Sequence, residues 1–504
     1  MTSSRSGNRD VQDTDDTHAA GESAAISRNR FLFSGMGLTG LALTAMLQRD
    51  GFAQRPGNTL RDRGTPHFAP KAKRVIWLMM RGGVSHLESF DPKPLLDRYA
   101  GRTISETPFE SQVLNSPFRQ NVREQLANNV IETDQARIWP MQVGWRKCGE
   151  SGVEVSDWWP HVRRHVDDIA VIRSMWTTDN NHGAQMQFLS GRHLLDGCFP
   201  TIGAWVQYGL SSLNDNLPQF ISIGPALHRQ CFEGVGSAYL GPEYSGVPLR
   251  VNSREPLLYA SPELDVSAQE QAIGGSLLRI LNGLALEQRP DDTELRARIQ
   301  SYELAFRMQR TVPGLLNFEQ ESQATQRMYG LDRKTTRPFG GQLLATRRLI
   351  EKGVRFVQVF HGEGSSGSWD AHSKLVEQHS ATCEQVDQPI AALLQDLRQR
   401  GLLSDTIVVW CTEFGRTPGV QGSDGRDHHN YGFSVWMAGG GIKSGVVHGA
   451  TDELGFHAIR DRHYVTDIHA TIFQLLGLDP RRLEIPGRKR LEVDYGHPIT
   501  DILV

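Results

Sequence analysis

The chain has 504 residues, a formal net charge of −3 and 38% hydrophobic residues, a composition that fits a globular protein with a sizeable core. The near balance of charges gives no electrostatic reason to expect a nucleic-acid partner. The five cysteines are far apart and include no Cys-x-x-Cys pair. This spacing argues against a disulfide framework and against a structural zinc knuckle.

The N terminus differs in kind from the rest of the chain. Residues 1–26 are polar and rich in Ser, Asp and Thr, which predicts disorder. Arg28 and Arg30 are followed by a Gly-rich apolar run to about Leu47, too short for a membrane span. The segment resembles a twin-arginine export leader, although Asn29 separates the two arginines. The alternative is an amphipathic helix packed on the domain, and no later segment is apolar enough to span a bilayer.

Beyond this segment, short apolar runs alternate with helical patterns. The apolar runs that predict buried strands are Lys73–Met80, Ile169–Met175, Phe220–Ile223, Val354–Phe360, Thr406–Cys411 and Phe433–Ala438. The helical patterns are Val153–Val166, Phe199–Leu210, Gln342–Lys352, Glu377–Arg400 and Thr466–Leu476. This alternation predicts an α/β fold with a mostly parallel central sheet and helices on both faces.

Two regions fall outside the alternation. Residues 228–270 are rich in Gly, Pro and Tyr, whereas residues 266–330 are charged and have a helical period that predicts a cap on the sheet. We therefore expect residues 1–60 to be a disordered N terminus and export leader. Residues 61–504 would form one domain, with a helical or irregular insertion around 228–335.

Acidic and imidazole side chains follow the strands of the C-terminal third. Asp370 and His372 end the loop HGEGSSGSWDAH, and Glu413 follows the strand TIVVWC. In an open α/β sheet, ligands bind at the carboxyl ends of strands. Carboxylate oxygens and imidazole nitrogens are ligands for zinc and related ions. The simpler alternatives are that Asp370 caps the next helix and that Glu413 pairs with Arg416 on a surface loop.

The densest polar cluster is the segment RDHHNYG. Because adjacent residues of an extended segment point to opposite sides, at most one of His428 and His429 is expected to face a given ion. We favour His429 slightly because it lies nearer the next strand. Asp427 is either a further ligand or a partner that orients a histidine.

The N-terminal half offers weaker candidates. The turn GGVSHLESFD contributes His86 and Asp91 as additional ligands, although Asp91 before Pro92 can simply start a turn. In the turn DNNHG, backbone amides at a helix start favour anions such as sulfate or phosphate. The alternative is that Asn180 or Asn181 is an ordinary helix N-cap.

With these residues assembled, the chain resembles the alkaline phosphatase/sulfatase superfamily, and more closely the bacterial family defined as domain of unknown function 1501. The segments that carry the resemblance are KRVIWLMMRGGVSHLESFDPKP, QVDQPIAALLQDLRQRGLLSDTIVVWCTEFGR, WDAH, GRDHHNYG and VTDIHATIFQLLGLD. It extends from about Lys71 to Val504 and is strongest after Arg347. The resemblance implies a three-layer sandwich and a bound divalent metal, either zinc, calcium or magnesium.

The superfamily's site carries over only in part. The segment NHGAQMQFLSGR places Asn181 where the superfamily has its nucleophile, and an amide is a poor nucleophile. Arg81 stands near the position of an expected metal-binding aspartate, and the usual Asp-His pair reads Glu413-Phe414. The resemblance therefore implies a metal site that is reduced, rearranged or lost.

The resulting hypothesis is an exported metal-dependent hydrolase-like protein that acts on sulfate or phosphate esters, including those of polysaccharides. The candidate metal ligands are Asp370, His372, Glu413, His429, His428 and Asp427. His182 and Arg81 would stabilise the substrate anion, and His86 would be a proton donor or an extra ligand. A water activated by the metal would replace the missing nucleophile. The rival is a non-catalytic cell-envelope binding protein on the same fold.

Overall fold

A computed structural model describes residues 64–116, 136–225, 236–251, 268–289, 292–485 and 487–504. The predicted disordered N terminus and export leader, residues 1–60, lie outside these residues. Among the described helices, none combines the length and the apolar character needed to cross a bilayer.

Strands and helices alternate along the described chain. The strands are, in chain order, β1 (Arg74–Met80), β2 (Trp145–Cys148), β3 (Val153–Ser156), β4 (Ile169–Trp176), β5 (Phe220–Ile223), β6 (Val247–Leu249), β7 (Phe356–His361), β8 (Thr406–Cys411), β9 (Gly415–Arg416), β10 (His428–His429), β11 (Phe433–Ala438), β12 (Val446–His448), β13 (Ala450–Thr451), β14 (Ala458–Arg460) and β15 (His463–Tyr464). The α-helices are α1 (Leu95–Arg98), α2 (Glu110–Leu114), α3 (Ala184–Ser190), α4 (Ile202–Gly209), α5 (Ala268–Gln288), α6 (Thr293–Leu316), α7 (Gln323–Met328), α8 (Arg337–Glu351), α9 (Leu375–Gln399) and α10 (Val465–Leu475).

The central sheet has the strand order β12-β4-β11-β8-β1-β7-β5-β6, with β15 also paired to β4. β1 runs parallel to β7 on one side and to β8 on the other. β11 runs antiparallel to both of its neighbours, β8 and β4. β12 and β15 both run parallel to β4. The predicted mostly parallel α/β sheet is therefore confirmed.

Helices cover both faces of this sheet because its central strands are apolar on both sides. In β1, Ile76 and Leu78 pack into one core with residues of α8 and α9. The alternate residues Val75 and Trp77 pack into a second core with residues of α3, α4 and α10. The result is a three-layer arrangement of helices, sheet and helices, as the sequence predicts.

The chain leaves the sheet repeatedly at the same edge. Because β11 is antiparallel to both β4 and β8, β4 points in the same direction as β8, β1 and β7. These strands end at Met80, Trp176, His361 and Cys411, and β11 begins at Phe433. The loops that follow the four strands, and the loop that precedes β11, therefore meet at one edge, the usual ligand-binding position of an α/β sheet.

One predicted helix is replaced by other structure. The sequence pattern predicts a helix over Val153–Val166, but the structure has strand β3 followed by a 3-10 helix over Val162–Asp168. The β-branched valines of β3 pair with β2, for which their shape is suited. Pro160, between the two elements, lacks the N–H that a continuous helix would use.

The described cysteines include free thiols and one disulfide-bonded residue. Cys148, Cys383 and Cys411 are free thiols, but Cys198 is disulfide-bonded. The fifth cysteine, Cys231, lies outside the described residues. A single bridge is not a disulfide framework, yet such bridges persist mainly in oxidising compartments.

Candidate metal centre

Four side chains converge on Asp370 at the sheet edge. Its Oδ2 lies 3.0 Å from His182 Nε2, and its Oδ1 lies 3.0 Å from both His428 Nε2 and His372 Nε2. Arg416 Nη2 donates to the same Oδ1 at 2.8 Å. Burial alone would raise the pKa of Asp370, but the three imidazoles and the guanidinium hold it well below its usual range.

A second group of ligand-type atoms overlaps the first. One ligand atom from each of His372, Asp427 and His428 lies within 4.8 Å of the others, and the same holds for His182, Asp370 and His428. The Nε2 atoms of His372 and His428 are 3.0 Å apart. Asp427 Oδ2 is buried and has no hydrogen-bond partner among the described residues. We call these five residues the histidine–aspartate cluster.

A glycine allows two of the loops to approach each other. Gly82, just after β1, has φ +121°, a backbone conformation that L side chains rarely adopt. A Cβ at this position would lie 2.5 Å from the backbone nitrogen of Asp370. The close contact between the loops after β1 and β7, which positions Asp370, therefore depends on the absence of a side chain.

Glu413 holds His182 from the side opposite to Asp370. Its buried Oε1 lies 3.2 Å from His182 Nδ1. The same oxygen accepts hydrogen bonds from Gly82 N and from Gln185 Nε2, each at 2.8 Å. Burial lowers the pKa of His182, but the two carboxylates outweigh it and raise the pKa to about 9. Burial raises the pKa of Glu413, and His182 brings it below its ordinary value.

The cluster is partly open to solvent, whereas its supports are buried. The side chain of His372 is 39% exposed, and those of His182 and Asp370 are 17% and 18% exposed. Glu413 is fully buried. The ring of Phe414 packs against His428, with centroids 4.3 Å apart. The exposed ring of His372 therefore gives a small ligand access to the cluster.

Arg81 lies next to the cluster, and each of its three side-chain nitrogens donates a hydrogen bond. Nε donates to Gln185 Oε1 at 3.1 Å, and Nη1 donates to Gly362 O at 3.1 Å. Nη2 donates to Gly364 O at 2.9 Å and to Ser365 O at 3.2 Å. Arg81 was expected to meet a substrate anion, but these bonds fix the loop that follows β7.

His86 and His429 lie together, on the other side of β10 from the cluster. His429 Nε2 is 2.5 Å from Phe456 O, and its ring stacks on that of His86 with centroids 6.0 Å apart. His86 Nε2 is 3.2 Å from Gly455 O. Both rings are buried, and burial lowers the pKa of each. The alternation argument places one histidine of β10 at the cluster, and that residue is His428 rather than the favoured His429.

Two contacts at the cluster were not foreseen. An ion pair between Arg416 and Glu413 on a surface loop was the simpler alternative, but Arg416 is buried and donates a hydrogen bond to Asp370, 46 residues earlier in the chain. The carbonyl of Asn180 lies 2.8 Å from His428 Nδ1. An arginine shortly after a buried strand is the one sequence signal that could have indicated the first contact. No local pattern indicates the second.

A family model described as "Protein of unknown function (DUF1501)" matches residues 72–503. The chain belongs to this family. No curated protein sequence matches this DUF1501 chain.

Several solved structures match most of the DUF1501 chain, although their sequence identity to it is low. The lipoteichoic acid synthase LtaP from Listeria monocytogenes is 8% identical, with 85% of this chain and 76% of that chain covered and a TM-score of 0.32. A phosphonate monoester hydrolase from Silicibacter pomeroyi is 11% identical, with 68% and 71% covered and a TM-score of 0.34. The PsFucS1 sulfatase from Pseudoalteromonas sp. is 10% identical, with 93% and 75% covered and a TM-score of 0.31.

Proposed function

We propose that this protein is an exported, metal-dependent hydrolase-like protein that acts on sulfate or phosphate esters, with polysaccharide esters as one substrate class. The observation that carries the proposal is the convergence of three imidazole Nε2 atoms on the carboxylate of Asp370 at a partly open sheet edge. Titratable groups with strongly shifted pKa values, gathered at the carboxyl ends of strands, are characteristic of functional sites.

The donors of the cluster fit a divalent metal ion. His428 Nδ1 is 2.8 Å from the Asn180 carbonyl, so it donates its N–H there and leaves Nε2 with a lone pair. Burial lowers the pKa of His428 to about 4, which keeps the ring neutral. The unpartnered Oδ2 of Asp427 supplies an oxygen donor. Mixed imidazole and carboxylate donors favour zinc over calcium or magnesium, which prefer oxygen ligands.

We propose that the histidine–aspartate cluster binds the ion. The buried residues next to the cluster would orient its side chains. Glu413 suits an orienting role better than a ligand role, because its Oε1 already faces three donors. His182 Nδ1–H then donates to Glu413 and Nε2 faces the ion site. Arg416 fixes Asp370 and balances its charge. When bound, a zinc ion supplies a Lewis acid that polarises the ester oxygen and stabilises developing negative charge.

The adjacent histidines of β10 provide a matched test. His428→Gln and His429→Gln are the same substitution at neighbouring positions on opposite sides of the strand. We expect the wild-type protein to bind zinc and to hydrolyse an aryl sulfate or aryl phosphate ester. His428→Gln should lose the ester hydrolysis and one zinc ion per chain, and His429→Gln should keep the zinc content of the wild type. Metal analysis after dialysis and a chromogenic ester assay measure the two outcomes, and equal zinc in wild type and His428→Gln would overturn the proposal.

A non-catalytic binding protein of the cell envelope is the second candidate, and Asn181 favours it. Asn181 occupies the position that the resemblance assigns to the nucleophile, and its Oδ1 accepts the backbone N–H of His182 at 2.7 Å. An amide held in this way does not form a covalent intermediate. Zinc binding without turnover of either ester would favour the binder, whereas turnover lost in His428→Gln would reject it.

Export is supported by two independent features. The sequence offers a twin-arginine-like leader within residues 1–60, and Cys198 is disulfide-bonded, as is usual in oxidising compartments. We expect the full-length protein in the periplasm or the medium of a bacterial host. The double variant Arg28→Lys/Arg30→Lys should stay in the cytoplasm. Equal extracytoplasmic recovery of the variant and the wild type would contradict export by this route.

A further inference from the structure

Two further histidines, His448 and His463, lie next to each other on the strands that pair with the outer side of β4. β12 and β15 follow one another along the same edge of β4, with His448 opposite Ile172 and His463 opposite Met175. The backbones of both histidines are therefore anchored in the sheet. Their side chains bridge the gap between the two short strands, and their Nε2 atoms are 2.8 Å apart. Neither residue belongs to the histidine–aspartate cluster.

A carboxylate fixes the orientation of one ring of this pair. His463 Nδ1 lies 3.0 Å from Asp467 Oδ2, and Asp467 Oδ1 accepts the backbone N–H of His497 at 2.9 Å. A ring that donates Nδ1–H to a carboxylate turns the Nε2 lone pair outward, as metal-binding histidines do. Asp501 Oδ2 lies 4.0 Å from His448 Nδ1, which is too long for a hydrogen bond but adds negative charge.

We propose that His448 and His463 form a separate binding site for a divalent transition-metal ion that prefers imidazole, represented by zinc, and that Asp467 orients His463. Zinc–nitrogen bonds measure about 2.0–2.1 Å, so two nitrogens on one tetrahedral ion are roughly 3.3 Å apart. The observed separation of 2.8 Å, with ring centroids 5.0 Å apart, sets the two Nε2 atoms head to head, so both rings must rotate and move apart to share an ion. The proposal does not depend on the hydrolase function.

The surroundings of the pair favour a cation. The side chains of His448 and His463 are 10% and 16% exposed, so an ion can reach them while remaining partly shielded. Asp461, in the turn before β15, has φ +48°, an uncommon conformation for a residue other than glycine. Its carboxylate acts electrostatically on His448.

The competing account is a plain hydrogen bond, in which His448 Nε2–H donates to His463 Nε2 and no ion binds. Zinc titration of the full chain distinguishes the two accounts. We expect one zinc ion per chain to be lost in His448→Gln and in His463→Gln. The exposed His497, on the same side of the molecule as Asp467, provides the control His497→Gln, which should lose none. Asp467→Asn should weaken this zinc site about 10- to 100-fold without abolishing it.

The same titration separates this site from the histidine–aspartate cluster. His428→Gln should remove a different ion, and the double variant His428→Gln/His463→Gln should lose both. Unchanged zinc stoichiometry in His448→Gln and His463→Gln would overturn the proposal. Should those variants unfold, imidazole ¹⁵N spectra of the wild type provide the test. Added zinc should shift the Nε2 resonances of both residues together, and resonances that do not move at saturating zinc would also overturn the site.

Discussion

The two sides of β10 carry the same residue type in opposite chemical settings. On one side, His428 Nε2 meets the Asp370 carboxylate and a second imidazole at 3.0 Å, in a region that solvent can reach. On the other side, His429 meets the backbone carbonyl of Phe456 and stacks on His86 in the interior. A high density of histidines therefore does not identify a site. What identifies a site is the partner of each ring nitrogen and whether solvent can reach that nitrogen.

His182 of the cluster responds to pH in the direction opposite to His86 and His429. Two carboxylates raise the pKa of His182 to about 9, so this ring is protonated at neutral pH when no ion is bound. Burial lowers the pKa of His86 and of His429, so these rings are neutral. His182 therefore stabilises the folded protein when its ring is protonated, whereas His86 and His429 stabilise it when their rings are neutral.

Removing the central carboxylate should have the largest effect on the cluster. In Asp370→Asn we expect zinc affinity to fall by about 100-fold or more, because the substitution removes a ligand and the charge that attracts the ion. A competition titration against a chelator measures the change. His86→Gln alters the other side of β10 and should leave zinc affinity as in the wild type. Equal zinc affinity in Asp370→Asn and wild type would remove the distinction between the two sides.

The second largest effect should come from adding a side chain at Gly82, where the loops after β1 and β7 are in contact. Gly82→Ala should lower the free energy of unfolding by about 1–3 kcal/mol and weaken zinc binding, because φ +121° is unfavourable for alanine and the new Cβ meets the backbone beside Asp370. Denaturant unfolding measures the stability. Gly101→Ala is the control, since Gly101 also has a positive φ of +79° but open space at its Cβ. An equal loss of stability in both variants would show that the loop contact adds nothing.

The pH dependence of the metal-free protein tests the charged side. The pKa of His182 is about 9 in the folded protein and about 6.5 when unfolded, a difference worth about 3 kcal/mol. This stabilisation is fully present below pH 6.5 and is lost as pH rises to about 9. Unfolding free energies measured across this range should decline more steeply in the wild type than in His182→Gln.

His429→Gln provides the contrast to the His182 experiment. Because burial lowers the pKa of His429 in the folded protein, its contribution is present above pH 6.5 and is lost as pH falls. The variant should therefore reduce the loss of stability at acid pH and leave the alkaline side unchanged. The same pH profile for both variants would contradict the opposite settings of the two sides.

The smallest of these effects should come from Arg81. Arg81→Lys keeps the charge but loses the planar set of donors that holds three backbone carbonyls of the loop after β7. We expect zinc affinity to fall about 10-fold, as for other residues that orient metal ligands. If Arg81 instead contacts the substrate, zinc affinity will stay constant and only KM for the ester will rise.

Much of the sheet could be predicted because its strands are defined by local sequence. The structure places strands at Phe220–Ile223, Thr406–Cys411 and Phe433–Ala438, with the bounds that the apolar runs predict. Each is a continuous apolar run of the kind that a sheet covered on both faces requires. The predicted helix over Val153–Val166 was wrong because β3 pairs with the preceding strand β2 and because Pro160 interrupts the local helical period.

The site could be predicted only in part because its geometry depends on distant pairs. The rule that ligands bind at strand ends led to Asp370 and Glu413, and in the structure both carboxylates contact His182. The alternation of β10 separates its two histidines but does not say which one faces Asp370. That choice depends on the pairing of β10 with β9, which puts His428 opposite Arg416. No local pattern in the sequence contains this information.

The cluster residues are far apart along the chain, and this determines at which stage of folding an ion can bind. His182 is 188 residues from Asp370, and Asn180, whose carbonyl orients His428, is 248 residues from it. A partly folded chain therefore lacks the complete ligand set, so a bound ion would stabilise only the finished sheet. Loading would follow folding, and an ion once enclosed would slow the reopening of the strands that carry it.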